Sequence, residues 1–474
     1  MHHEIFYFSL ALILPIVMGF LLVSLCWPDR KMTYPLFGCK LCLSTGVGLG
    51  MSSFSSLFTL LLAGSANILI TFLLEGFVIS LLFGILWYRK QAFFPVFERE
   101  HEKSNTLSRI LAFAFYTSLF LAIGIFVLRS VENPHGEPDA WTFWNSRARL
   151  FFRAGEQWQE IFSSGNWSFP KYPQLLPMNI VRLWSVSRKE TLTSPIVIAF
   201  LFTFASVGML TTALITLRGR SQGYLGGLLL TSTPYFLKHG ASQYADVPFG
   251  CYVLMTFILV TLYNRKPKHV SGMLALVGMA AGFAAWTKEE GWLLLGAILG
   301  ARWIVLLGLK GGVRRNRHEI LTFFSGYMPI FLVIISFKTF IAPSSIPFSR
   351  QMALFERLTD LSRYLITTKA FLKVLVEPYS LVLSVPIVVV FVYSIFLGID
   401  LPKIKQPGVL TALLIPGEMM IGYFFVYITT SHELQWLIST SLNRLFLQIW
   451  PGVVFLALLL IKAPEECWNT YSET

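Results

Sequence analysis

The chain has 474 residues, of which 55% are hydrophobic, 15% aromatic and only 13% charged, with a formal net charge of +13. A soluble domain of this length has no room to bury so much apolar surface, so the composition excludes a soluble globular protein and indicates a polytopic membrane protein. The positive charge is scattered through short loops between apolar stretches, a pattern of membrane topology, and no nucleic-acid partner is expected.

Residues 5–27 form the first apolar segment. No positive charge precedes it and no small-x-small cleavage site follows, so a retained span is expected, closed by Pro28-Asp29-Arg30-Lys31. A crossing needs roughly 20 residues. Apolar segments at 36–63, 66–88, 109–130, 191–217, 222–238, 246–263, 270–286, 290–309, 319–341, 381–399, 408–429 and 445–462 bring the expected total to about 13 spans. Ser and Gly dilute the second, and 222–238 is short. The fold class expected is an all-α polytopic membrane protein with amphipathic surface helices in its outer loops. Three N-terminal spans and a cytoplasmic loop (1–108) precede a transmembrane catalytic module (109–462), and a cytoplasmic tail (463–474) follows.

Basic clusters fall in alternate loops: Arg30/Lys31, Arg89/Lys90, Arg218/Arg220, Arg265/Lys266/Lys268, Arg314/Arg315/Arg317, Lys403/Lys405 and Lys462. Those loops are expected to face the cytoplasm, with the N-terminus outside and the C-terminus inside. Cys39-x-x-Cys42 lacks a second pair, so its thiols are expected to pack rather than bind zinc. Gly46-x-Gly48-x-Gly50 has no strand before it and suits close helix packing better than a dinucleotide. Asn166-Trp167-Ser168 matches the glycosylation sequon.

On the opposite face stand the 131–190 loop, His239–Asp246, Thr287–Glu290, the 342–380 loop and Thr430–Arg444. The 131–190 loop is far longer than ordinary connections and dense in carboxylate, guanidinium and indole. In 140–155, Trp141, Trp144, Ala148, Phe151 and Phe152 share one helical face, with Arg147, Arg149 and Arg153 around it. This predicts a helix lying in the headgroup layer, aromatics inward and guanidiniums outward. Residues 348–375 repeat the pattern through Met352, Phe355, Leu358, Leu361 and Leu365.

Asp139 follows Pro138 at the start of that helix, where a carboxylate can cap exposed N–H groups or act as a general base on an attacking hydroxyl; Glu137 is the nearest substitute. Asp246, in Gln243-Tyr244-Ala245-Asp246-Val247-Pro248, is a helix cap or a second carboxylate that binds the acceptor or tunes the first. Lys288, in Trp286-Thr287-Lys288-Glu289-Glu290, either snorkels to the interface or holds a phosphate, as does Arg350. Arg444 breaks the positive-inside pattern and is a candidate anion ligand, near His432 in the preceding turn. Glu75 and Glu418 fall at mid-membrane, where carboxylates are expensive; bundle-interior hydrogen bonding is the expectation for Glu75.

At Asp139, Tyr244-Ala245-Asp246-Val247-Pro248 and Trp286-Thr287-Lys288-Glu289-Glu290-Gly291 the chain resembles the membrane-embedded (GT-C) glycosyltransferases, in the branch of the bacterial protein O-mannosyltransferases and the lipid A aminoarabinose transferase. Tyr172-Pro173-Gln174-Leu175-Leu176-Pro177 and the closing Asn443-Arg444, Gln448 and Pro451 extend the resemblance over about 109–462. It implies an inverting transfer from a polyprenyl-phosphate-linked sugar to a lipid, glycan or protein acceptor on the outer face of a bacterial inner membrane, among membrane lipids. Asp139 is then the implied base, Asp246 the second acidic residue, and Lys288, Arg350 and Arg444 the phosphate ligands, before Arg147 and Arg149. Tyr172, Tyr244 and Glu289 join as substrate-binding candidates. Many relatives carry Glu after the first-loop Asp; Ala140 stands there, which favours a mechanism without a divalent metal or other cofactor. The chain also lacks the large outer C-terminal domain of some relatives.

A transporter or flippase for a lipid-linked or anionic substrate would instead need broken helices with polar groups near the midplane, for which Glu75, Pro416 and Glu418 are suited. A non-catalytic lipid- or glycan-binding protein on the same scaffold would tolerate loss of Asp139.

Overall fold

The computed structural model describes residues 2–29, 31–91, 96–98, 105–162, 172–263, 270–308, 317–342, 349–376 and 384–466. Apart from a short parallel pairing of Lys31–Met32 with Val96–Phe97, the described elements are helices. Ten of them are long and apolar enough to cross a membrane, so the chain is an all-α, multi-pass membrane protein.

Three expected spans differ from these ten. The apolar helix within 270–287 runs Ser271–Thr287, and another runs Ile387–Leu397. The 222–238 segment divides into Arg220–Thr231 and Pro234–Ala241. Pro234 sits in the first turn of the second helix, and without an N–H it cannot extend the ladder of the first.

The Asp246–Tyr263 helix is buried along its whole length and forms the axis of the bundle. Tyr34–Ala63 packs beside it, and its Ser and Gly residues turn out to be contact devices. Ser52 donates to Asn179 Oδ1 (2.8 Å), and Ser53 Oγ accepts from Trp286 Nε1 (3.2 Å). Gly48 lies against the Pro15 carbonyl, where a side chain would collide with backbone, and Tyr252 donates to the Gly46 carbonyl (2.8 Å). Small residues let helix backbones approach where hydrocarbon offers no hydrophobic drive. The first three helices are thereby keyed into the bundle axis.

A second key is Glu75 with Arg182, a two-pronged pair with both contacts at 2.6 Å and side chains 0% and 2% exposed. Arg182 also donates to the Ala11 carbonyl. It belongs to Leu175–Ser187, the end of the long loop, whose residues from Leu175 through Ser185 are all buried. The loop therefore returns into the bundle instead of staying at the surface.

Buried Arg218 fixes the far end of the bundle. It donates to the Ile461 carbonyl (2.5 Å), Glu466 (2.9 Å) and Asp400 (3.3 Å), joining three chain segments. The sequon at 166–168, most of the Arg265/Lys266/Lys268 and Arg314/Arg315/Arg317 clusters, and the C-terminal tail from 467 lie outside the described residues.

Candidate functional site

The opposite end gathers charge. Asp246 is the first residue of its helix, Lys288 follows the C-terminus of Val270–Thr287, and Arg444 stands ten residues into Leu434–Leu460. At 1.5 Å per residue the Leu434 helix thus reaches about 15 Å beyond the cluster. The side walls are the 137–153 segment and the turn between Ala241 and Asp246.

Asp246 is fully buried and fully coordinated. Its Oδ1 accepts from Lys288 Nζ (2.9 Å) and Gln448 Nε2 (2.7 Å), and its Oδ2 from Arg444 Nε (2.9 Å) and Nη2 (2.8 Å). Gln448 is held in turn by the Tyr423 hydroxyl (2.9 Å). Of the two readings of Asp246, the helix cap drops out: its oxygens are committed across the bundle, because a buried carboxylate needs charged donors more than one N–H of its own turn.

Arg444 Nη2 also reaches Asp139 Oδ2 at 2.6 Å. Asp139 makes no side-chain cap, so the capping alternative drops out there too. The segment it opens begins as a π-helical turn, Ala140–Trp144, and continues as Asn145–Arg153. Such wide turns re-aim side chains and recur at functional sites. The position is pinned from below: Gly136 adopts φ +75° against the Ser242 carbonyl, which accepts from Glu137 N–H (3.2 Å), and Asn145 donates to Gln243 Oε1 (2.7 Å).

Lys288 completes the cluster with a second carboxylate, Glu290, at 2.8 Å. Burial opposes its charge, but Asp246 and Glu290 outweigh that and hold its pKa above the usual ammonium value. Tyr244 carries the Arg444 guanidinium 4.6 Å from its ring centre, and burial pushes its phenol up to about 12. His239 lies between the tilted rings of Tyr235 (4.2 Å) and Tyr244 (5.5 Å); burial lowers its pKa to about 4, partly offset by Asp246. Arg147 lies 5.2 Å from the Tyr172 ring centre, and burial raises the Tyr172 phenol.

The surface-helix expectation needs correcting in two residues. Arg147 is buried, 2% exposed, beneath Tyr172, whereas Trp141 is 55% exposed. The π turn rotates the face that a regular helix would present. Arg149 and Arg153 do point outward and share Glu190 (2.9 and 2.5 Å), so the structure does not bring Arg149 to the cluster. Glu289 pairs with Lys338 (2.6 Å), which sits 5.6 Å from the Trp292 ring centre. His432 is exposed against Trp436, away from Asp246. The Arg350 side chain lies outside the described residues, while Phe355, Leu361 and Leu365 of the 349–376 helices are exposed, as a lipid-facing shelf requires.

Tyr423 was missed, and Gln448, Glu290 and His239 stood in the stretches singled out without being named as site residues. Gln448 was legible: it lies one turn after Arg444 on the same helical face. Glu418, in Pro407–Thr429, has a buried Oε1 without a hydrogen-bond partner among the described residues and faces Gly300. Among the described residues no group of three or more His, Cys, Asp and Glu is placed to hold a metal ion. No protein-family model, curated protein or solved structure matches the chain.

Proposed function

We propose that this protein is an inverting glycosyltransferase of the GT-C kind, with about 13 spans, moving a sugar from a polyprenyl-phosphate donor to an acceptor hydroxyl on the extracytoplasmic face. The observation that carries the reading is the Asp139–Arg444–Asp246–Lys288 chain of contacts at one end of the bundle. Two roles are separated within it. Asp246 is enclosed and saturated, so it orients the two cations. Asp139 has one described ionic partner and is 27% exposed, so it is the carboxylate able to meet a substrate.

In the reaction, Asp139 accepts the proton of the acceptor hydroxyl as its oxygen attacks the anomeric carbon. The bond from that carbon to the phosphate oxygen breaks with inversion, and the lipid phosphate leaves carrying its electron pair. Arg444 and Lys288 are the cations that would compensate that oxyanion. Before donor binding, Arg444 is shared by Asp139 and Asp246, and Lys288 by Asp246 and Glu290. The donor phosphate therefore enters by competing with Asp139 for Arg444, which also frees the base. No step in this scheme calls on a metal.

The test compares outer-surface glycolipids and glycans by mass spectrometry in cells with the wild-type gene, a deletion and Asp139→Asn. Loss of one sugar in both altered strains, with the variant still in the membrane, supports transfer and names the product. Loss only in the deletion would make Asp139 structural and turn attention to lipid transport, for which the unpartnered Glu418 oxygen is the supporting observation.

A further inference from the structure

Asp246 has both carboxylate oxygens held. Its Oδ2 faces Arg444, and its Oδ1 takes Gln448 Nε2 at 2.7 Å beside Lys288 Nζ at 2.9 Å. Gln448 is 0% exposed and carries no charge, so it does not help to neutralise the aspartate. What it supplies is direction. A carboxylate only accepts, so the nitrogen end of the amide must face Asp246 and the oxygen end must turn away. The Tyr423 hydroxyl, on Pro407–Thr429, donates to that oxygen at 2.9 Å, from a side chain that is itself buried.

The backbone is arranged for the same contact. Gly250 lies one turn after Asp246, and a Cβ there would stand 3.0 Å from the Gln448 carbonyl oxygen. The two helices therefore approach closely where the amide has to reach the carboxylate. Without Tyr423 the amide oxygen would be buried and unmatched, and the amide could turn to offer Asp246 an acceptor in place of a donor.

We propose that Gln448 and Tyr423 are positioning residues for the clamp that receives the lipid phosphate. Tyr423 fixes the Gln448 amide, the amide fixes the Asp246 carboxylate, and the carboxylate sets the plane of the Arg444 guanidinium. Both residues act through Asp246. Arg444 Nε, 2.9 Å from Asp246 Oδ2, then keeps its place while Nη2 exchanges Asp139 for phosphate. The assignment rests on the transferase reading.

The experiment measures binding of farnesyl phosphate by the full-length protein in phosphatidylcholine nanodiscs, with the melting temperature of each variant alongside. Tyr423→Phe deletes only the hydroxyl, and Gln448→Met keeps the volume without the amide. Each should weaken binding about tenfold, and the double variant should be no weaker than Gln448→Met, because Tyr423 acts through the amide. Gln448→Glu supplies a readout that packing alone would not move. As a neutral acid this side chain accepts from Tyr423 and donates to Asp246; as an anion it meets Asp246 with a like charge. Asp246, Lys288, Arg444 and Tyr423 face that position, with Glu290 and Tyr427 beyond them. Its affinity relative to wild type at the same pH should therefore rise about threefold from about pH 8 to about pH 5.5, while the Gln448→Met ratio stays flat.

Normal binding in Tyr423→Phe, additive losses in the double variant, or a flat ratio in Gln448→Glu overturns the assignment and leaves the transferase reading standing. A wild type that binds no farnesyl phosphate overturns the assignment at once; if the deletion also changes no glycan, the transferase reading goes with it.

Discussion

Arg444 and Asp139, from distant parts of the chain, meet at 2.6 Å while the same guanidinium nitrogen lies 2.8 Å from Asp246. One planar cation thus joins a saturated carboxylate to one with solvent access. Arg444→Lys should not replace it, because a single ammonium lacks the fork that serves Asp246 through Nε and Nη2 while reaching Asp139. Product formation is expected to fall at least about 100-fold in Arg444→Lys and further in Arg444→Gln. Near-normal turnover in Arg444→Lys would remove the bridging role.

Asp139→Asn and Asp246→Asn should part company. The first removes a general base and should lower turnover about 10²- to 10⁴-fold with little change in melting temperature. The second leaves buried Lys288 and Arg444 without their shared counter-ion and should destabilise by about 3–5 kcal/mol. Thermal unfolding in detergent alongside turnover separates the two; equal stability losses would contradict the division of roles.

Acid should loosen the site through His239. Its folded pKa is about 4 against an ordinary 6.5, so the unfolded chain binds the proton more readily. The contribution to stability is fully present above pH 6.5 and is lost as pH falls from there toward 4, up to about 3 kcal/mol. Asp246, Arg444, Lys238 and Lys288 are the charges acting on the ring. His239→Gln should flatten the melting-temperature slope between pH 6.5 and 4.5. An unchanged slope would place the acid sensitivity elsewhere.

Glu75 and Arg182 offer a test of how the first three helices are held. Either single neutral substitution, Glu75→Leu or Arg182→Met, strands a charge in the bundle and should cost about 3–5 kcal/mol. The double variant should recover most of that loss, since apolar side chains of similar volume need no counter-ion. A double variant no better than the singles would mean that the pair does more than neutralise itself.

By contrast, removing Glu190 from the exposed ends of Arg149 and Arg153 should change stability by no more than about 1 kcal/mol. Turnover should be unaffected, because neither arginine approaches Asp246. A large loss of activity in Glu190→Gln would place Arg149 back among the substrate ligands.

Sequence alone determined the class of this protein and where its polar chemistry would concentrate. Composition leaves no alternative to a membrane for so much apolar surface, and each long helix announces itself through some 20 consecutive apolar residues. Asp139, Asp246, Lys288 and Arg444 were legible because charge at the mouth of an apolar segment is expensive. What only the tertiary structure decided is how those residues divide the work. Local pattern could not distinguish a helix cap from an ion pair at Asp139 and Asp246, since both need the same residue in the same place. It could not foresee the π turn that buries Arg147 and exposes Trp141, nor the return of Leu175–Ser187 into the bundle to pair Arg182 with Glu75. Those outcomes depend on which distant side chain is within hydrogen-bonding reach. In a low-dielectric bundle that proximity governs the energy of every charge, and only the packed chain establishes it.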